Sequence, residues 1–367
     1  MPCLAANGYA SLFVSVDGTV FCCGFNQYYK LSTPNSDILV ISQLLIDAKI
    51  LAVASGTNHT LLLDVNGCIW SAGQNEEMQL GRVGDLPTFE TIPNLPSIKL
   101  VHARAHLSIF IAQNGTAWIC GKNEYCKMGF PTVDELIPPT PVPNLPAVKW
   151  AVAGANHTLF LDVDGVVWAC GRNNRGQLGF GDVNDRTSVQ PAPNPSGTQI
   201  TAISAGEEFS LILDKFGVVY SCGDNLVGQL GRVCENRDAA WKKVKKLRRP
   251  IHFMDCGNFH SVVIDDKQVC YTFGSNLSGQ LGVSTETFPG AGVPPQKLKS
   301  LPPIVEVSAG WHHSLFLAED GSVWGCGKNR FGTLGMGDSS AISPLTKLAP
   351  LPVIGVPQKP VKSARKL

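Results

Sequence analysis

Short apolar bursts separated by turn residues recur along the whole chain. Residues 153–171 show the pattern: Leu159-Phe160-Leu161, then Asp164-Gly165, then Val166-Val167-Trp168, closing on Cys170-Gly171. Such bursts, rich in β-branched and aromatic residues, favour strands over helices. Asp164-Gly165 is a two-residue hairpin signature, because glycine takes the positive φ that primed turns require. Asp17-Gly18, Asn66-Gly67, Asn114-Gly115 and Asp320-Gly321 repeat it. Runs that are apolar at consecutive positions, such as Leu61-Leu62-Leu63, imply sheets covered on both faces. Prolines crowd a linker (Pro138, Pro139, Pro141, Pro143, Pro146), where they would spoil a helix.

The unit is written seven times. Each copy ends in a glycine two residues before an asparagine: Gly24/Asn26, Gly73/Asn75, Gly121/Asn123, Gly171/Asn173, Gly223/Asn225, Gly274/Asn276 and Gly327/Asn329. Three residues before each glycine stands an aromatic: Phe21, Trp70, Trp118, Trp168, Tyr220, Tyr271 or Trp324. Seventeen residues before it lies a second marked position, held by Asn7, Gly56, Arg104, Gly154, Gly206, Gly257 and Gly310. The internal spacing is fixed, while the distance between units drifts from 48 to 53 residues. Fixed cores on elastic linkers are stacked supersecondary units. Seven small antiparallel sheets, each covered by its neighbours, close into an all-β propeller. The expected repeats are 3–48, 49–97, 98–147, 148–199, 200–249, 250–301 and 302–357, followed by a basic, flexible tail over 358–367. The Asn after each glycine is expected to cap its own turn, and the later Leu-Gly pairs, such as Leu178-Gly179, to plug the space between blades. Units one and three are degenerate: Tyr29-Lys30-Leu31-Ser32 replaces Gly-Gln-Leu-Gly, and Arg104 and Leu107 replace Gly and His. No blade is expected to be missing.

Composition narrows the functions. Charged residues are 16% of the 367, and the formal net charge is +1, so no global attraction to nucleic acid or anionic membranes arises. No 18-residue apolar run exists to span a bilayer, and the first residues lack the layout of a signal peptide. Cys23, Cys120, Cys170, Cys222 and Cys326 all precede the repeat glycine, so they read as small buried hydrophobes in a reduced compartment, cytoplasmic or nuclear. No zinc-type spacing, phosphate loop, G-x-S-x-G or H-E-x-x-H occurs, so no metal, cofactor or covalent chemistry is expected. The histidines His59, His157, His260 and His313 share one repeat slot with Ala10, Leu107 and Phe209, which marks a packing position.

The unit A-G-x-x-H-[ST]-L…D-G-x-V-[WY]-x-C-G-x-N-x-x-G-Q-L-G resembles the regulator of chromosome condensation repeat over essentially the whole chain. The resemblance implies a seven-bladed propeller of four-stranded blades, with the last segment, here Pro344–Val356, supplying a strand to the first blade. It also implies a protein partner and no cofactor. The founding member exchanges guanine nucleotide on the small GTPase Ran; others are protein-binding platforms, some attached to ubiquitin ligases. Two readings stand: an exchange-factor-like regulator of a small GTPase, or a non-catalytic adaptor such as a ubiquitin-pathway or trafficking scaffold. A monomer is expected.

For exchange, the resemblance puts Glu208 where the Ran exchanger carries an acid and His312 where it carries a histidine. Ala155 stands where another acid is implied, and the Gly171–Gly176 segment is shorter than the exchanger's wedge. The candidate partner face is Asn58, Asn156, Arg172, Arg175, Glu207, Glu208, Trp311 and His312. Trp311 is singled out because its equivalents are the smaller Thr57, Ala155, Glu207 and Asn258, as an interface anchor would be. A second candidate is the basic run Lys242, Lys243, Lys245, Lys246, Arg248 and Arg249, readable as a nuclear address, an acidic-partner site or a solvated linker. The basic N-terminal arm that the exchanger uses on chromatin is not matched, so contact with chromatin or nucleic acid is not expected.

Overall fold

The computed structural model describes residues 3–31, 36–84, 87–131, 137–284, 292–352 and 354–355. The basic tail over 358–367 lies outside them. The described strands form seven four-stranded antiparallel sheets, each built from four strands consecutive in sequence. Blade four is representative: Val148–Ala153 innermost, then His157–Asp162, Val167–Gly171 and the outer Arg186–Pro191. The innermost strands of successive blades touch in order around an axis, and the seventh, Ile304–Ala309, returns to the first, Leu4–Asn7. The ring is closed.

Closure differs from the expected exchange of a C-terminal strand. All four strands of the first blade come from the N-terminal end, and Ser343–Lys347 is the outer strand of blade seven. Beyond it, Ile354 makes one isolated bridge to Ser15, and the Gly355 N–H donates to Val14 O at 3.1 Å. The seam is also fastened from inside. Glu306 Oε1 of blade seven accepts the Cys3 and Leu4 N–H groups at 2.8 and 2.9 Å, and Ser308 Oγ accepts Ala6 N–H. Buried apolar clusters fill the spaces between blades; Leu159, Leu161 and Ala169 of blade four meet Ile203 and Ile212 of blade five. Each fully buried aliphatic side chain there contributes about 1.5–3 kcal/mol.

The repeat residues form a set of clasps. The second-strand aspartate takes its own hairpin N–H groups on Oδ1 and the aromatic on Oδ2: Asp162 accepts Val166 N–H and, at 2.9 Å, Trp168 Nε1–H. The Asn after the repeat glycine accepts the N–H five residues on, as Asn173 does from Leu178 at 2.9 Å, so it caps its turn as expected. The histidine slot rivets neighbouring blades. His157 Nε2 lies 2.9 Å from Ser210 Oγ of blade five, whose hydroxyl donates to Gln177 O of blade four. One hydroxyl has one proton, so Nε2 must be the protonated nitrogen. His59 with Ser108 and His260 with Ser314 repeat the geometry.

This clasp explains the marked glycine. A Cβ at Gly154 would sit 2.1 Å from His157 Cε1, and Gly56, Gly257 and Gly310 are overlaid by their histidines in the same way. Where Asn7 and Arg104 replace the glycine, the ring is gone too, leaving Ala10 and Leu107. In those two blades the glutamine of Gly-Gln-Leu-Gly becomes a lysine that stitches the seam. Lys30 Nζ donates to Gly8 O and Thr57 O at 2.8 and 2.9 Å, and Lys127 Nζ to Ala155 O at 2.9 Å. Burial lowers both ammonium groups, to about 7 and about 8. The degenerate units are intact blades with a different fastener.

Candidate functional site

Two loop families meet at one rim of the ring: the tight turns between first and second strands, and the longer excursions between third and outer strands. The turns are fixed to each other by backbone bonds across the seams, such as Ala155 N–H to Glu207 O at 3.1 Å and Glu207 N–H to Asn258 O at 3.0 Å. Asn58, Asn156, Glu207, Glu208, Trp311 and His312 lie in the turns, and Arg172 and Arg175 in the longer loop of blade four. All eight are half-buried and belong to the same rim.

The rim divides by chemistry. Around blades three to five it is charged. Glu208 sits between two arginines, with Arg172 Nη1 at 3.5 Å and Arg175 Nε at 3.4 Å, and Arg175 also faces Asp224 at 3.8 Å. The Arg172 guanidinium stacks over Tyr125 at 4.7 Å. Glu207 is deeper, and burial raises its carboxyl, partly countered by the Arg104 charge. Asn58 Nδ2–H is engaged with Gln74 Oε1 at 2.8 Å.

Around blades six, seven and one the rim is aromatic. Tyr9 meets Trp311 edge-on at 5.2 Å, stacks on His312 at 6.0 Å and touches Phe331 at 5.2 Å. Phe25 extends the group beyond Phe331, and Phe259 lies 6.4 Å from His312. Lys328 lies over Tyr9 at 5.1 Å and Arg330 over Phe331 at 5.6 Å. Burial, then Lys328, depresses the His312 imidazole, which holds it neutral near pH 7. Trp311 is therefore one member of a cluster. Tyr9, Phe25, Phe259 and Phe331 went unnoticed in the sequence, although Phe331 stands where other units carry Arg175, Val227 and Ser278.

Arg104 has a second unexpected role. It crosses the axis from blade three to blade six, donating to Cys256 O at 3.1 Å and to Asn258 Oδ1 at 2.9 Å. A channel of about 400 Å³ lined by the innermost strands runs behind it. Among the described residues no group of three or more His, Cys, Asp or Glu is placed to hold a metal ion, and no helix is long and apolar enough to cross a membrane.

The basic run is elsewhere. Lys242 and Lys243 pair with Ser221 and Tyr220, toward the end of the sheet remote from Gly223 and the candidate rim. Arg249 is held by Asp266 at 2.7 and 3.1 Å.

Seven clasped blades of this pattern have a counterpart among known families: a model described as RCC1-like domain matches residues 3–245 and 148–365. The chain belongs to the RCC1-like domain family. Over 144 residues it is 35% identical to the human probable E3 ubiquitin-protein ligase HERC6, covering 38% of this chain and 14% of that protein. Over 138 residues it is 31% identical to the guanine nucleotide exchange factor SRM1 of Saccharomyces cerevisiae, covering 35% and 28%. The matched part spans under a third of either relative's length. The crystal structure of Prp20p from Saccharomyces cerevisiae, described with its binding to Gsp1p and histones, superposes with a TM-score of 0.81 at 24% identity, covering 92% of this chain and 88% of that one. At that identity the likeness shows the fold.

Proposed function

We propose that this chain is a protein-binding propeller that docks a small GTPase of Ran type on the divided rim and accelerates its nucleotide release. The observation that carries this reading is the convergence of Glu208, Arg172, Arg175, Trp311 and His312 on one rim of a closed ring. Similarity to the exchange factor SRM1 supports it. Exchange needs no nucleophile: a surface that binds the nucleotide-free GTPase better than the loaded one must, by linkage, loosen the nucleotide.

One observation favours a non-catalytic adaptor. Glu208 is already neutralised by two arginines of its own chain, and the stretch around Ala155 offers no second acid. The test is release of a fluorescent GDP analogue from Ran in the presence of this protein. Acceleration is expected, weakened by Glu208→Ala and by His312→Ala. No acceleration removes the exchange reading in favour of the adaptor. Histone binding by Prp20p counts against the expectation that chromatin contact is foreign to this fold, so purified histones belong in the same binding experiment.

A further inference from the structure

The segment leaving blade five has a period of three. Trp241, Val244 and Leu247 turn inward; the first two are 5% and 1% exposed. Trp241 packs between blades four and five, and Val244 and Leu247 between five and six. Between these anchors stand the pairs Lys242-Lys243, Lys245-Lys246 and Arg248-Arg249, all exposed. Of the six cations only Arg249 has a carboxylate in reach; the other five form no ion pair among the described residues. At the far end the hairpin carrying Gly217 packs on Pro250, and its Phe216 is 65% exposed.

We propose that this ladder is a docking site for an extended acidic segment of a partner protein, with Phe216 receiving one apolar side chain. Lys242-Lys243 end the outer strand Arg237–Lys243 and Lys245-Lys246 form the turn that follows, so the three cationic pairs lie on one continuous exposed stretch. The buried anchors fix the backbone that carries the charges, so a partner has only their side chains to order. A flexible nuclear address would have to be drawn out, removing Trp241 from beneath Gly179, where a Cβ would meet the indole at 2.1 Å. Nucleic acid is disfavoured because a single exposed aromatic, Phe216 at one end, gives successive bases no run of stacking platforms. The ladder sits away from the candidate rim, so both surfaces can be filled at once. It does not rest on the GTPase reading.

The experiment is fluorescence anisotropy with the full chain and a labelled peptide of alternating Glu and Ala residues ending in Phe. Saturable binding that weakens with added salt is expected, reduced about tenfold by Lys245→Ser/Lys246→Ser and similarly by Lys242→Ser/Lys243→Ser. Lys328→Ser/Arg330→Ser should leave it unchanged, and thermal melts should show all three variants folded. Nucleotide release from Ran should be the same with and without the ladder lysines, which separates this surface from the rim. Absence of saturable binding, equal binding by the ladder variants, or tighter binding of a single-stranded oligonucleotide at the same ionic strength would overturn the proposal.

Discussion

Each buried imidazole should penalise the folded ring on acidification, and the size of that penalty can be worked out. His59, His157, His260 and His313 are fully buried, and burial pushes each from 6.5 down to about 3. At pH 5.5 they are neutral in the folded chain but mostly protonated once unfolded. The unfolded state then binds more protons, so stability falls as pH drops through 6.5 and the loss levels off near 3. Between pH 7.5 and 5.5 each histidine costs about 1.4 kcal/mol, or about 6 kcal/mol for all four. Glu306 runs the other way. Burial lifts its carboxyl to about 7, so the folded state takes up that proton first and returns about 2 kcal/mol. Lys30 and Lys127, lowered by burial to about 7 and about 8, bind more protons unfolded than folded over this range and deepen the loss slightly. Asp255 and Glu207, raised by burial, add to the offset, leaving a net loss from these groups of at most about 5 kcal/mol. The assay is urea unfolding at both pH values, for the parent and for His157→Phe. Phenylalanine already fills this slot in blade five as Phe209, where Ser261 still donates to Gln229 O. The variant should therefore stay folded and, relative to the parent, gain about 1.4 kcal/mol on going from pH 7.5 to 5.5. A pH dependence in His157→Phe identical to the parent's would refute the reasoning.

Gly154→Ala should cost about 2 kcal/mol or more, because its Cβ would meet the His157 ring and, at 2.6 Å, Gly206 O; a melting temperature equal to the parent's would discount the overlay as the reason for the glycine. Arg104→Ala should cost about 2–3 kcal/mol in urea, since Asn258 Oδ1 and Cys256 O lose a buried charged donor; an unchanged midpoint would mean the cross-axis bond carries no stability. Trp311→Ala should weaken binding of a rim partner by about 2 kcal/mol with little change in melting temperature, read by calorimetry on whichever partner affinity purification returns. Undiminished affinity would remove the aromatic half of the rim from the interface.

The fold was legible because each repeat residue has a local duty. Asp162, Trp168 and Asn173 complete a hairpin and a turn inside one unit, so their spacing is fixed and visible. The loop residues Glu208, Arg172 and Arg175 could be placed on one rim from register alone. Their mutual pairing could not, because 33 and 36 residues separate the partners and only the seam between blades four and five joins them. The aromatic group was harder still. Tyr9 and Trp311 come from opposite ends of the chain and meet because blade seven closes on blade one. A closing strand from the C-terminal segment is not among the described strands; the clasp that is there, Glu306 gripping the N-terminal strand by a side chain, leaves no strand-like pattern in the sequence.

Departures from the repeat therefore fall into two kinds that sequence alone does not separate. Asn7, Ala10 and Lys30 change together, as do Arg104, Leu107 and Lys127; each set trades the histidine rivet for a lysine bonded to the next blade's turn. Such coordinated changes are answered within the ring, and their side chains are buried. Trp311 and Phe331 depart without any such exchange. The histidine slot of blade seven keeps His313, and the glycine beside it remains Gly310, so nothing in that blade requires large aromatics above them. Half-buried rings that the clasp does not need, topped by Lys328 and Arg330, have the anatomy of an apolar centre with a cationic edge awaiting a partner. By the same standard Glu208 is weaker evidence for exchange than its position suggests, since Arg172 and Arg175 already answer its charge. The aromatic half of the rim is where a partner has most to gain.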